Sequence, residues 1–278
     1  MTKTWFVTGA ARGIGAAIVK AVLDAGDRVV ATGRDPRKIE QAFDGAGSDR
    51  LLALPLDVSQ EAQARSAVNA AVERFGRIDV LVNNAAYAHL GVFEESPLDE
   101  VRRQLDTNVF GLMAVTQAVI PGMRRQRSGR IFNISSIAGL KGGFGGSLYN
   151  TSKFAVEGFS QCIAEELAPF GVHVTVVSPG FFRTDFLDAS SVKYSGSAIG
   201  DYAKMMADFR AFLDDRNHKQ VGDPAKLAGV ILHLARVEEP PVSFVAGSDA
   251  VAFATGVIER QKAELDSWRD LSVSTDGD

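Results

Sequence analysis

Among 278 residues there is a single cysteine, Cys162, so no internal disulfide can form and a reducing compartment is expected. A strong charge of either sign is also missing. Lys and Arg number 30 against 34 Asp and Glu, interspersed to a net charge of −4, which offers no basic surface for nucleic acid or an anionic membrane. No apolar run approaches the roughly 20 residues that span a bilayer. The N-terminus enters the apolar "TWFVT" almost at once, leaving no room for the regions of a signal peptide, and cytoplasm is the expected compartment. The four histidines, at 89, 173, 218 and 233, lack metal-ligand spacing, so no catalytic metal is expected. Internal repeats, low-complexity blocks and linkers are absent as well.

What is there is a large apolar fraction, 46%, enough for a substantial core, and it is regularly patterned. Short β-branched runs ("TWFVT", "RVVATG", "LLALPL", "IDVLVNN", "GRIFNIS", "VHVTVVSP") alternate with segments of helical period at 13–25, 36–43, 59–75, 97–125 and 147–169. Strands apolar on both faces, separated by amphipathic helices, predict an α/β fold with a doubly wound parallel sheet covered on both sides. A single domain is expected over residues 1–268, with 269–278 as a flexible tail.

The first strand runs straight into "TGAARGIG", where Gly9, Gly13 and Gly15 open a helix with Arg12 and Ile14 between them. A turn without Cβ atoms lets the backbone approach a pyrophosphate, and the helix N-terminus turns free N–H groups and a positive dipole end towards it. The pattern is GxxxGxG rather than GxGxxG, so its placement between strand and helix carries the argument. At the end of the second strand, "TGRD" has Gly33 where a ribose-binding acid would stand, followed by Arg34. Two guanidiniums, Arg12 and Arg34, suit a 2′-phosphate, which favours NADP over NAD. The rival is that Asp35 takes the ribose; but Asp35 precedes Pro36 and reads as a helix cap.

Tyr149 and Lys153 lie one helical turn apart on one face after the glycine-rich "GGFGG". That spacing is common on solvated helices and settles nothing alone. Together with Gly9 to Gly15, "NNAA" at 83–86, Asn108, Ser136 in "NISSIAG" and "PGFFRT" at 179–184, however, it resembles the short-chain dehydrogenases/reductases of the compact, single-domain type. The likeness covers residues 3 to 185, in order and with family-like spacing. It implies a Rossmann fold and hydride exchange between a nicotinamide cofactor and a small-molecule carbonyl or alcohol. By this resemblance Tyr149 exchanges the proton, Ser136 holds the substrate oxygen, Lys153 grips the nicotinamide ribose, and Asn108 holds a water linking Lys153 to solvent. Asp57, Val58, Asn84, Ala85, Pro179, Gly180, Phe182 and Thr184 are the further cofactor contacts it implies. A cation beside the phenol is expected to lower its pKa from about 10. Blander roles stand beside these: Ser136 ending a strand on its own backbone with Ser135 as decoy, Asn108 as an ordinary helix residue, Asp57 as a cap. Ala86 stands where the family usually has glycine.

Beyond Thr184 the likeness thins. Residues 185–219 are expected to form a substrate lid, with Tyr202, Met205, Met206, Phe209, Phe212 and Leu213 on one helical face. Phe181 and Phe182 add to an apolar pocket for a bulky ketone or secondary alcohol, and the glycine loop 142–146 leaves room opposite. The C-terminal "PPVSFVAGSDAV" leads into a helical period through Val251, Ala254, Ile258, Gln261, Leu265 and Trp268. It departs from the family's usual closing strand and leaves assembly at a dimer or higher, through 97–125 and 147–169. A same-superfamily enzyme without net redox, or a dinucleotide sensor without chemistry, are the competing functions.

Overall fold

The computed structural model describes residues 2–196 and 199–277. Met1, Ser197 and Ala198 of the expected domain and lid, and Asp278 of the expected tail, lie outside them.

The β-branched runs form strands β1 (Thr4–Val7), β2 (Arg28–Gly33), β3 (Leu51–Pro55), β4 (Val80–Asn83), β5 (Ala88–Leu90), β6 (Gly129–Ile134), β7 (Val172–Pro179), β8 (Val192–Tyr194) and β9 (Ser243–Ala246). All but β5 and β8 join one parallel sheet in the order β3, β2, β1, β4, β6, β7, β9. The helices are α1 (Gly13–Asp24), α2 (Pro36–Ala42), α3 (Glu61–Phe75), α4 (Leu98–Leu105), α5 (Gly111–Gln126), α6 (Ser147–Leu167), α7 (Gly200–Arg216), α8 (Pro224–Leu234), α9 (Ser248–Ser267) and α10 (Arg269–Val273).

Successive side chains of a strand point to opposite faces, and β1 shows it: Trp5 and Val7 pack with Ile18 and Val22 of α1 and Ile231 of α8, whereas Phe6 packs with Val68 of α3, Val119 of α5 and Ile163 of α6. Helices therefore cover both faces, the doubly wound Rossmann arrangement. The strand order reverses between β1 and β4, and a crevice opens at the carboxyl ends of those strands. Beneath it a buried polar chain ties sheet to helices. Asn83 Nδ2 donates to Thr116 Oγ1 (2.8 Å) and Asn133 Oδ1 (2.9 Å), and Asn133 Nδ2 donates to Ser160 Oγ (2.9 Å).

Four features differ from or add to the expectations. The single helix over 97–125 is broken by a π turn, Asp106–Phe110, that carries Asn108. A seventh sheet strand, β9, does form in "PPVSFVAGSDAV", pairing in parallel with β7. The expected flexible tail begins as the helix α10. Finally, the apolar stripe of α9 faces away from the body: Ala250 and Val257 are buried, while Val251, Ile258, Leu265 and Trp268 are exposed. The helix is fixed at its start and then leaves the sheet edge, so only its first turns find a core to pack on.

Candidate active site

The site begins where β1 ends. Thr8 Oγ1 accepts from the backbone N–H of Asn84 (2.9 Å) and of Ala85 (3.0 Å), fastening the end of β1 to that of β4. Gly9 and Gly13 hold φ of +64° and +57°, in the left-handed region that costs glycine nothing. Asn84 Nδ2 donates to the carbonyls of Thr8 (3.0 Å) and Gly9 (3.1 Å). A Cβ on Gly15 would lie 2.6 Å from that nitrogen and collide with the Gly9 carbonyl, and one on Gly9 would lie 2.9 Å from Ala85 Cα. The loop is thus closed to side chains and open only towards the crevice, in front of the α1 N-terminus. Such a cradle fits the pyrophosphate of a dinucleotide.

From this cradle a cavity of about 1340 Å³ runs to Tyr149 and beyond. Gly9, Arg12, Gly13, Ile14, Arg34, Asp57, Val58, Asn84 and Ala85 line it together with Ser136, Tyr149, Lys153, Pro179, Gly180, Phe182 and Thr184. Of the residues expected in the site, Gly15 and Asn108 stand off the wall. Gly15 acts by what it lacks. Ala86, on the wall, keeps a negative φ, so its methyl is accommodated.

At the nucleotide end Asp35 accepts from the backbone N–H (3.2 Å) and Nε (3.0 Å) of Arg37 and so caps α2. Arg34 is exposed on the wall, with Lys38 near it. Arg12, however, reaches across to the lid: its guanidinium donates to the Ser190 carbonyl (3.1 Å) and Ser191 Oγ (2.6 Å). Asp57 Oδ1 accepts from Ser59 N (3.0 Å) and Oγ (2.7 Å), so its carboxylate also shapes the turn before α3.

At the other end Tyr149 is half-buried and Lys153 buried at 3% exposure. Lys153 Nζ donates to the Ile134 carbonyl (2.8 Å) and lies 5.7 Å from the centre of the Tyr149 ring. Burial pushes the phenol up to about 12, with the Ser136 hydroxyl beside it pulling the other way. Burial also drives Lys153 down to about 8, against the attraction of Glu157. The expected lowering of the phenol is therefore not met: the loss of water around it dominates, and only the Ser136 hydroxyl opposes it. Ser136 Oγ accepts from Ala138 N (3.1 Å), so it caps its own backbone as well as facing Tyr149, and Ser135 turns away to the Lys153 carbonyl (3.4 Å). Asn108, 2% exposed, donates to the Tyr87 carbonyl and to Ser152 Oγ (both 3.0 Å) and accepts from Tyr87 N (3.2 Å). It braces α6 one residue before Lys153 rather than touching Lys153.

The far wall is apolar. Phe144, Phe181, Phe186, Leu187, Phe209 and Phe212 converge on it, with Phe209 edge-on to Phe144 at 6.0 Å. The expected stripe on α7 is narrower in fact: Met206 and Leu213 are buried, whereas Met205 is exposed and Tyr202 bonds Glu94 (3.0 Å). The loop 142–146 is open only at its start: Gly142 and Gly143 are exposed with free space around them, whereas the Gly145 carbonyl accepts from Gly91 N (2.8 Å) and Phe209 packs against Gly145. The lid is anchored by β8 pairing with β5. Thr184 Oγ1 accepts from Phe186 N (3.2 Å), turning the chain into the lid.

Three contributors escaped the sequence reading. Thr8 had a signal, its place between strand and glycine. Asp249, whose Oδ2 accepts from Phe181 N (2.8 Å) and whose carboxylate fills the space a Gly180 Cβ would take, had none, being far along the chain. Phe253 also reaches the cavity from α9. Ligand atoms of Asp185, Asp188 and His218 lie within 4.8 Å of one another at the lid base, where Asp188 Oδ1 accepts from Asn217 Nδ2 (2.7 Å).

A doubly wound sheet, a glycine cradle at its switch point and a Tyr/Lys/Ser group in the same crevice define a nicotinamide-dependent oxidoreductase. The chain matches the short chain dehydrogenase family over residues 3–194 and belongs to it, as an NAD(P)-dependent oxidoreductase. It is similar to "Oxidoreductase BOA17" of Botryotinia fuckeliana, 38% identical over 99% of this chain and 100% of the relative. A "3-ketodihydrosphingosine reductase" of Bacteroides thetaiotaomicron is 34% identical over 84% of each. A solved short-chain dehydrogenase from Streptomyces avermitilis superposes over the whole of both chains with a TM-score of 0.93 and 37% identity.

Proposed function

We propose that the chain is an NADP(H)-dependent reductase of a bulky, largely apolar ketone, equally the dehydrogenase of the matching secondary alcohol. The observation that carries this is the single cavity joining the glycine cradle to Ser136, Tyr149 and Lys153, with an aromatic wall beyond them. The bound dinucleotide supplies or accepts the hydride. Gly9, Gly13, Ile14, Asn84, Ala85, Asp57 and Val58 hold its adenosine and pyrophosphate portions, while Pro179, Gly180, Phe182, Thr184 and Lys153 position its nicotinamide half. Arg34, with Arg12, receives a 2′-phosphate; no carboxylate competes, because Asp35 is spent on its cap.

Ser136 donates a hydrogen bond to the substrate oxygen and stabilises the charge that develops there. Tyr149 gives that oxygen a proton. A phenol raised to about 12 stays protonated through neutral pH, the state from which carbonyl reduction draws. Lys153 then steadies the phenolate left behind. Asn108 is a positioning residue, holding the Lys153 turn of α6 through Ser152. Residues 185–219 close over the substrate, and their phenyl groups exclude water. The relative named for 3-ketodihydrosphingosine favours the same substrate class.

A homodimer through the α4–α5 and α6 faces belongs to this reading, supported by exposed Phe110 and Phe154 there. So does a cytoplasmic location; among the described residues no helix is long and apolar enough to cross a membrane.

The test is a panel of aromatic, steroid-like and short aliphatic carbonyls assayed with NADPH and NADH. Turnover of the bulky members with NADPH is expected, and equal rates with NADH overturn the cofactor choice. Product formed without loss of NADPH absorbance replaces the reductase with a non-redox enzyme of the same superfamily. Nucleotide binding with no product leaves a sensor.

A further inference from the structure

One polar group on the cavity wall has no work in the scheme above. Gln220 follows α7, is 4% exposed and lines the cavity, and its amide oxygen Oε1 has no hydrogen-bond partner among the described residues. The other deeply buried polar side chains on that wall are engaged. Ser135 Oγ reaches the Lys153 carbonyl (3.4 Å), Lys153 Nζ the Ile134 carbonyl (2.8 Å), and Ser191 Oγ the Arg12 guanidinium (2.6 Å). An unpaired buried amide oxygen is destabilising, and an apolar side chain of similar length would fill the same space without that cost.

The backbone beneath it is held firmly. The Gln220 carbonyl accepts from Arg183 Nη1 (2.8 Å), Gly222 N donates to the Phe181 carbonyl (3.0 Å), and Arg183 N donates to the Gly222 carbonyl (2.9 Å). Gln220 is thus built onto the strand-like stretch just past Pro179 and Gly180. On one side of that stretch Phe182 packs on the core cluster that includes α1 and α8; on the other Phe181 packs, as Tyr149 does, on the cluster of Ala88, Leu90, Val192 and Leu213 beneath the lid. This is the seam between the cofactor half of the cavity and its apolar half.

We infer that Gln220 is a recognition residue whose amide oxygen accepts a hydrogen bond from an N–H or O–H group of the molecule bound in the cavity. The inference rests on the proposed function for what that molecule is, and two sources of the donor share the chemistry. One is the carboxamide of the nicotinamide. The other is a hydroxyl or amide that the ketone carries besides its carbonyl, which narrows the substrate class to ketones with such a group.

The experiment compares wild type with Gln220→Met, which removes the acceptor at similar length, and Gln220→Glu, which keeps one. Three quantities are read: melting temperature, NADPH affinity by fluorescence without substrate, and kcat and KM for a pair of bulky ketones differing by one hydroxyl. If the donor is on the cofactor, Gln220→Met weakens NADPH binding about tenfold and Gln220→Glu keeps most of it. If the donor is on the substrate, NADPH affinity holds while KM for the hydroxylated ketone rises about tenfold and that of its deoxy partner does not. A Gln220→Met protein that melts like wild type and shifts neither quantity overturns the inference. Should wild type turn over no ketone, the proposed function fails by itself; the NADPH arm then decides alone, and unchanged affinity overturns Gln220 too.

Discussion

Lys153 Nζ lies 5.7 Å from the centre of the Tyr149 ring and gives its hydrogen bond to the Ile134 carbonyl, 2.8 Å away. Burial disfavours the charged form of both groups, moving the phenol up to about 12 and the amine down to about 8, so that near pH 7 the phenol is neutral and the amine is still mainly an ammonium. Stability against pH should carry both signatures. Below about 8 the ammonium is present in folded and unfolded chains alike; between about 8 and 10.5 the unfolded chain binds the proton more tightly, so stability rises with pH across that window. The phenol acts oppositely, its contribution present below 10 and lost as pH rises towards about 12. Urea unfolding of wild type and Lys153→Met between pH 8 and 10 measures the first effect. The rise should vanish in the variant, and parallel curves would refute the low amine pKa.

Removing the phenol should stop the chemistry while leaving the fold. Tyr149→Phe is expected to lower kcat by roughly 10²–10⁴, the usual worth of a positioned acid, with NADPH affinity nearly unchanged. Ser136→Ala should cost less and act on kcat more than on KM, since the oxygen it holds gains charge only in the transition state. Steady-state kinetics beside fluorescence titration separate the two quantities. Turnover in Tyr149→Phe within a few-fold of wild type would remove the proton-transfer assignment.

Gly15→Ala tests the cradle without touching the cavity wall. The added methyl would press on the Gly9 carbonyl and lie 2.6 Å from Asn84 Nδ2, with backbone on one side and on the other an amide nitrogen already donating two hydrogen bonds. Overpacking of this kind costs about 1–3 kcal/mol, so a lower melting temperature is expected together with loss of dinucleotide binding. A variant that binds NADPH normally would mean that the loop yields to the added methyl.

Arg34→Glu should move preference from NADPH towards NADH. A charge-assisted contact is worth about 1.5–3 kcal/mol, or roughly tenfold to a hundredfold in relative kcat/KM. An unchanged ratio would leave the nucleotide end without its phosphate clamp.

The sheet and the glycine cradle were legible because they rest on local rules: β-branched runs of strand length, and glycine between a strand and a helix. Val172–Pro179 forms a strand over the whole of the predicted run, and Asp35 caps α2 as its place before Pro36 requires. Legibility failed where distant segments decide the outcome. The phenol's pKa depends on what surrounds Tyr149 in three dimensions, not on the cation four residues away. Asn108 reads as a helix residue, but it sits in a π turn between α4 and α5 and bonds Ser152 and Tyr87, partners distant in the chain that no local pattern marks. Asp249 supports Phe181 from 68 residues away, a relation no local pattern encodes. The stripe on α9 had the right period but no surface to face.

Arg12 is shared property. The same guanidinium that faces the nucleotide end also fastens Ser190 and Ser191 at the start of the lid. Whatever anion draws it away unties those serines, and by reciprocity whatever lifts the segment leaves the guanidinium hungrier for an anion. If Arg12 takes the 2′-phosphate as proposed, the two ends of the crevice are coupled through one side chain. In that case cofactor binding would loosen the segment that covers the second reactant.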